Sequence, residues 1–150
     1  MNRNNFVVQP ETVDTVVTDY ATAKIMSDPE MTGLRGMSAV VLFIEPGHGH
    51  SRHNHPESEQ MIFVITGKGE HTTELAEGQK KVEKVSSGSL ICIPKGAYHS
   101  TYNTGWEPMQ VFAVFTPPGP EAAVRALGDS GGVGTALHRV VPAGEVPLRR

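Results

Sequence analysis

Residues 47–67 read GHGHSRHNHPESEQMIFVITG, and four of the chain's seven histidines fall within eight of these positions. The stretch ends in an apolar run closed by glycine. Two readings compete: a solvated polar loop, or a set of ligands carried to the edge of a core. Alternation in a strand puts residues i and i+2 on one face, so His53 and His55 are expected to offer two imidazoles to one ion. Neutral imidazole suits Zn, Fe, Ni, Cu and Mn, and a site needs at least one further ligand. His99 is the third candidate. It lies in residues 88–103, GSLICIPKGAYHSTYN, where the turn PKGAYH brings a distant strand end to the same place.

Working outward, short apolar runs alternate with glycine and proline. MSAVVLFIE (37–45) predicts a buried strand stopped by Pro46-Gly47, and QMIFVIT (60–66) another. EHTTEL (70–75) and KKVEKV (80–85) predict a hairpin about Gly78. SLICIP (89–94), HSTYN (99–103) and MQVFAVFT (109–116) complete the set. Such spacing indicates an all-β sandwich or barrel. Upstream, FVV (6–8) and VDTVV (13–17) read as short strands, and ATAKIMSDPEM (21–31) is ambiguous between strand and short helix. Downstream, PEAAVRAL (120–127) predicts a short helix opened by Pro120, GDSGGVG (128–134) a flexible link, and 135–150 a poorly specified tail.

Composition narrows the classes. A chain of 150 residues suits one domain with one core, and 16 glycines with 11 prolines favour turns and short strands over long helices. A formal charge of −3 argues against non-specific nucleic-acid binding, which needs a basic surface. The single cysteine, Cys92, forms no internal disulfide framework, so a reducing cytoplasm is the expected home. No apolar stretch reaches the ~20 residues of a membrane span, and the N-terminus lacks the apolar segment of a signal peptide.

The two histidine segments together resemble the cupin superfamily. Its first motif, G-x5-H-x-H-x3,4-E-x6-G, is met by Gly47, His53, His55 and Gly67; its second, G-x5-P-x-G-x2-H-x3-N, by Gly88, Pro94, Gly96, His99 and Asn103. The motifs occupy 47–103, and flanking strands extend the likeness to about 37–116. The resemblance implies a cupin jelly-roll β-barrel (a double-stranded β-helix) over 37–116. N-terminal strands (1–36) and a C-terminal helix and tail (117–150) would complete a single domain. It also implies one divalent transition metal inside the barrel, Fe ranked first with Zn, Mn or Ni as alternatives.

The fourth ligand that the resemblance implies is a glutamate, and here the chain departs from the pattern. Counted from His55, both Glu59 and Gln60 satisfy the family spacing; counted back from Gly67, only Gln60 does. Adjacent strand residues face opposite ways, so only one looks inward. Hydrophobicity does not decide, because Met61, Phe63 and Ile65 are as apolar as Ile62 and Val64. Gln60 is favoured because it keeps both spacings; a bulge at 58–60 would bring in Glu59 instead. A neutral amide beside three neutral imidazoles leaves the ion's charge uncompensated and welcomes an anionic oxygen ligand. Proton transfer then falls to another group, with Glu59, His50 and Tyr98 as candidates at the barrel mouth.

Neighbouring residues carry plainer expectations. His48 and His50 belong to the loop after Gly47, Arg52 is solvated, Tyr98 or Tyr102 lines the pocket, and Asn103 is structural. Cys92 is a buried small hydrophobe, His71 and His138 are surface residues, and KKVEK is a solvated hairpin face. MIFVI and VFAVF are apolar on both faces, so a homodimer is expected to cover the outer one. The functional reading is a metal-dependent enzyme on a small oxygenated organic substrate, with a dioxygenase-type reaction ranked first. A non-redox Lewis-acid lyase, isomerase, cyclase or aminohydrolase is second, and a non-catalytic ligand-binding or sensing protein third.

Overall fold

A computed structural model describes residues 6–76, 78–130 and 139–144. Its strands in chain order are β1 (Thr15–Val17), β2 (Ala21–Ser27), β3 (Ser38–Ile44), β4 (Gly49–His53), β5 (Glu59–Thr66), β6 (Lys68–Ala76), β7 (Gln79–Ser86), β8 (Leu90–Ile93), β9 (His99–Asn103), β10 (Met109–Thr116) and β11 (Arg139–Val141). Two helices join them, α1 (Pro29–Thr32) and α2 (Pro120–Ser130). A seven-stranded sheet runs β11-β1-β2-β3-β10-β5-β8, and a four-stranded sheet runs β4-β9-β6-β7. Consecutive strands pass from one sheet to the other, as β3 to β4 and β4 to β5 do, which wraps the two sheets into the jelly-roll barrel. No helix among the described residues is long and apolar enough to cross a membrane.

Alternation decides which side chains meet inside. In β5, Gln60, Ile62 and Val64 are buried while Glu59, Met61, Phe63 and Ile65 are exposed. In β10, Met109, Val111, Ala113 and Phe115 point inward and join Val40, Ile44, Ile62, Val64, Ile91 and Ile93 in one core. Each large aliphatic side chain buried in this way contributes about 1.5–3 kcal/mol relative to exposure. Because Ile91 and Ile93 take the inner face of β8, Cys92 between them faces outward and is exposed, not the buried hydrophobe expected.

The structure departs from the sequence reading at both ends. FVV at 6–8 forms no strand. The ambiguous segment is both things in turn: β2 runs to Ser27, then Asp28 caps the single turn of α1 by accepting from Met31 N–H at 2.7 Å. Helix α2 continues to Ser130, into the expected link, while 131–138, with His138, lie outside the described residues. Within the expected tail, β11 pairs antiparallel with β1, Thr15 opposite Val141. A three-residue strand has too few positions for its alternation to be read.

Asn103 ties the barrel end together. Its Nδ2 donates to the carbonyls of Ile44 (2.9 Å) and Glu107 (2.7 Å), and its Oδ1 accepts from Gly105 N–H (2.9 Å). Its backbone continues the work, with N–H to the His48 carbonyl and carbonyl to Gly47 N–H. The side chain is thus buried with its hydrogen-bonding capacity satisfied, as a structural residue should be. Asn103→Ala would leave two carbonyls and one N–H without that partner. The expected loss is about 2–4 kcal/mol of stability, read as a lower urea midpoint with an unchanged slope.

Candidate metal centre

Strand β4 lies against β9 with His53 opposite His99. That pairing needs close backbone approach: a Cβ at Gly49 in β4 would collide with the Thr101 carbonyl of β9, and one at Gly69 in β6 with the Tyr102 carbonyl. The loop after β4 is stitched to the turn before β9. Gly96 N–H donates to the His55 carbonyl (3.0 Å) and Asn54 Nδ2 donates to the Gly96 carbonyl (3.2 Å). Gly96 holds φ at +77°, a conformation suited to glycine. His55 therefore reaches the cluster from a loop pinned to the His99 turn, beyond the end of β4, and not by alternation along one strand.

The imidazoles converge. His53 and His99 ring centres are 4.2 Å apart, His53 and His55 5.0 Å, and His55 and His99 5.3 Å. One candidate ligand nitrogen from each lies within 4.8 Å of the others. His53 Nδ1 is 2.6 Å from the Ser51 carbonyl and His99 Nδ1 2.9 Å from the Ala97 carbonyl. A carbonyl only accepts, so each Nδ1 carries the proton and each Nε2 keeps its lone pair. His99 Nε2 and Gln60 Oε1 are buried with no hydrogen-bond partner in the protein. Orphaned acceptors of this kind in the cavity that the converging imidazoles line fit a cation.

His50, expected in the loop, is a residue of β4 and lines the cavity. Its ring stacks on His53 with centres 3.5 Å apart and on Tyr20 at 4.5 Å. Burial, reinforced by the neighbouring imidazoles, lowers the pKa of His50 to about 3 and those of His53 and His55 to about 4. Burial brings His99 to about 4 as well, against the opposing pull of its Ala97 hydrogen bond. All four are neutral at pH 7, the state in which imidazole ligates. Burial and the nearby Asp19 push the Tyr20 phenol up to about 12.

Gln60 lines the cavity, whereas Glu59 is exposed on the outer face of β5. Tyr98 and Tyr102 are exposed, and neither borders the cavity. The guanidinium of Arg52 lies 3.8 Å over the Tyr98 ring and is bound to both oxygens of Glu74 at 2.6 and 3.0 Å, all on the outer surface. Of the three proton-carrying candidates, His50 alone faces the cavity. His71 corrects a further expectation. It is only 2 % exposed, with Nδ1 2.9 Å from Thr101 Oγ1 and Nε2 2.9 Å from Thr73 Oγ1. The weak alternation of EHTTEL hid its inward direction.

The cavity is about 520 Å³, within the range of small-molecule sites. Sequence reasoning missed three of its contributors. Thr101 was legible from the i, i+2 pattern of His99, Thr101 and Asn103, all buried. Tyr20 and the wall supplied by α2 (Pro120, Ala123, Val124 and Ala126) carried no local signal. Helix α2 is held in place by Ser38 Oγ donating to Glu121 (2.7 Å) and by an Arg125–Asp28 ion pair (2.8 Å).

A family model described as Cupin domain matches residues 40–115. The rhicadhesin receptor of Pisum sativum is 30% identical over 112 residues, covering 75% of this chain and 51% of that protein. A glucose-6-phosphate isomerase of Thermococcus litoralis is 29% identical over 73 residues, covering 49% of this chain and 37% of that one. The chain thus spans about half or less of these relatives' lengths. In the solved structures, the formate complex of Lactobacillus farciminis oxalate decarboxylase superposes with a TM-score of 0.66 at 23% identity, over 71% of this chain and 31% of that one. At that identity the likeness speaks for the fold. The matched model spans both histidine segments and the barrel strands around them, and the chain belongs to the cupin family.

Proposed function

We propose that the chain is a metal-dependent cupin enzyme acting on a small oxygenated organic molecule, with an oxygen-dependent, dioxygenase-type reaction ranked ahead of non-redox chemistry. The observation that carries this reading is the pair of orphaned buried acceptors, Gln60 Oε1 and His99 Nε2, in the cavity that the imidazoles of His53 and His55 also line. His53, His55 and His99 would hold a divalent transition ion, Fe first among the candidates, with Gln60 as a weak neutral fourth donor. Such an ion supplies a Lewis acid and, if redox-active, a route for dioxygen. The protein's part is to keep the imidazoles neutral, fix two of them through backbone carbonyls, and exclude water with apolar walls.

The lyase or isomerase reading keeps the same ligands but needs a base to move protons. The one proton-carrying candidate that faces the cavity is His50, a weak base with its pKa lowered by burial to about 3. No Asp or Glu is among the described residues lining the cavity, and Glu59 faces outward, which favours the first reading. Assembly as a homodimer belongs to the same proposal. On the outer face of the larger sheet Leu90 pairs with Phe63, Phe63 with Phe112, and Phe112 with Val41, an apolar row across four strands. Leu90, Phe63 and Phe112 are exposed in the single chain. A second copy laid on this row would cover it.

Metal analysis of protein purified without chelators should find close to one iron per chain. His99→Ala should weaken metal binding by at least ~100-fold and Gln60→Ala by roughly tenfold, while Glu59→Ala changes it less than about twofold. Zinc, nickel or manganese with the same pattern, and no oxygen uptake, would transfer the proposal to Lewis-acid chemistry; no metal under any condition would overturn it. A pH dependence follows from the buried imidazoles. In metal-free protein the unfolded histidines take protons near 6.5, whereas the folded ones resist down to about 4. Stability is therefore full above pH 6.5 and falls progressively as pH drops toward 4, because the unfolded state binds more protons across that window. Urea midpoints at pH 7.5, 5.5 and 4.5 measure it, and a flat series would contradict it.

A further inference from the structure

We infer that the cavity takes a molecule with an apolar body and a chelating oxygen head, and not one that carries a phosphate or carboxylate at the end far from that head. The head rests on the metal-centre proposal above; the body rests on the cavity walls alone.

The two sheets give the cavity two unlike walls. From the smaller sheet and its adjoining loop come His50, His53, Asn54, His55, His99 and Thr101, all polar. From the larger sheet come Val40, Leu42, Ile44, Ile62, Val111 and Phe115, all apolar, with Gln60 the exception. Helix α2 continues the apolar wall through Val124 and Ala123. A ligand placed with its oxygens toward the histidines must lay the rest of its length on aliphatic side chains.

Charge points the same way. None of the described residues lining the cavity is Asp, Glu, Lys or Arg. The two arginines nearest in sequence to the cavity walls are engaged elsewhere, Arg52 with Glu74 and Tyr98 outside the barrel and Arg125 with Asp28. A phosphate or carboxylate at the far end of the ligand would lose water and meet no cation among the described lining residues. Negative charge at the head is met by the divalent ion; charge at the far end is not. Thr101 adds a polar group for the head, its hydroxyl oriented by the His71 ring at 2.9 Å.

The test uses the full chain, cobalt-loaded and metal-free, with probes that share one head. Dissociation constants are measured by calorimetry for 2,4-pentanedione, 1-phenyl-1,3-butanedione and the same phenyl dione bearing a para-carboxylate. Butylbenzene is added to metal-free protein and the melting temperature followed. The phenyl dione should bind cobalt protein roughly tenfold or more tightly than pentanedione, from the added apolar area. The para-carboxylate should cancel that gain, by roughly tenfold or more. Butylbenzene should raise the melting temperature without metal. If neither dione binds but butylbenzene still stabilises, the metal-centre proposal fails and the apolar body stands. If cobalt and pentanedione bind normally while the phenyl group brings no gain, or the carboxylate binds as tightly as the phenyl dione, the inference is overturned and the metal centre stands.

Discussion

The Nδ1–H of His53 is given to the Ser51 carbonyl and that of His99 to the Ala97 carbonyl, which leaves both Nε2 lone pairs free for a cation. Much of the fold serves to hold that arrangement. The two residues sit opposite each other across β4 and β9, and glycines at 49 and 69 let the neighbouring backbones close on β9. The turn at 94–96 is tied to His55 by a backbone hydrogen bond, so a third imidazole is placed by the same loop that places the second. Asn103, four residues beyond His99, locks the far end of β9 to the loops at 44–48 and 105–107. A slip of one residue in β9 would turn His99, Thr101 and Asn103 outward together.

How much of this was legible depended on whether physics left a local mark. Turn residues did: Gly67, Gly88 and Gly96 all have φ between +77° and +91°, and their spacing outlined the barrel. Strands β9 and β10 could be bounded to the residue, because proline, glycine and polar residues stop them on both sides. Strand β4 left almost none, since its residues are glycine, histidine, serine and arginine and its strand character comes from pairing with β9. The parity of β5 was undecidable from hydrophobicity, as its outer face is apolar too; the motif spacing pointed to Gln60, the residue that is buried. Cys92 and His71 went wrong for one reason. Each was judged by residue type, when the alternation of its own strand, Ile-Cys-Ile in β8 and Gly-Glu-His in β6, sets its direction.

The outer face of β5, β8 and β10 and the inner face of the same strands make opposite demands on solvent. The inner one is closed by the smaller sheet and α2, leaving a cavity; the outer one leaves Met61, Phe63 and Leu90 exposed among the described residues. Both faces being apolar is what made the sequence ambiguous, and it is also what would couple the proposed assembly to the site. Gln60 and Met61 are neighbours on β5, so burying the outer row beneath a second copy would stiffen the strand that carries the proposed fourth donor.

Replacing a carboxylate by Gln60 shifts where charge is balanced. Three imidazoles held neutral by burial and one amide would give an ion no compensation, and the described residues of the cavity wall add none. At short range in a poorly solvated space, interactions between unit charges are several-fold stronger than in water. In the proposed centre the missing negative charge would come from whatever binds the ion, and an enolate or carboxylate oxygen would gain more there than in a site with its own glutamate. The same absence limits the protein as a proton carrier, because a Gln60 amide cannot take the proton that a glutamate would. A substrate that arrives already ionised, or whose acidity the ion itself raises, meets both constraints at once. The apolar wall opposite the histidines keeps water from competing for that charge.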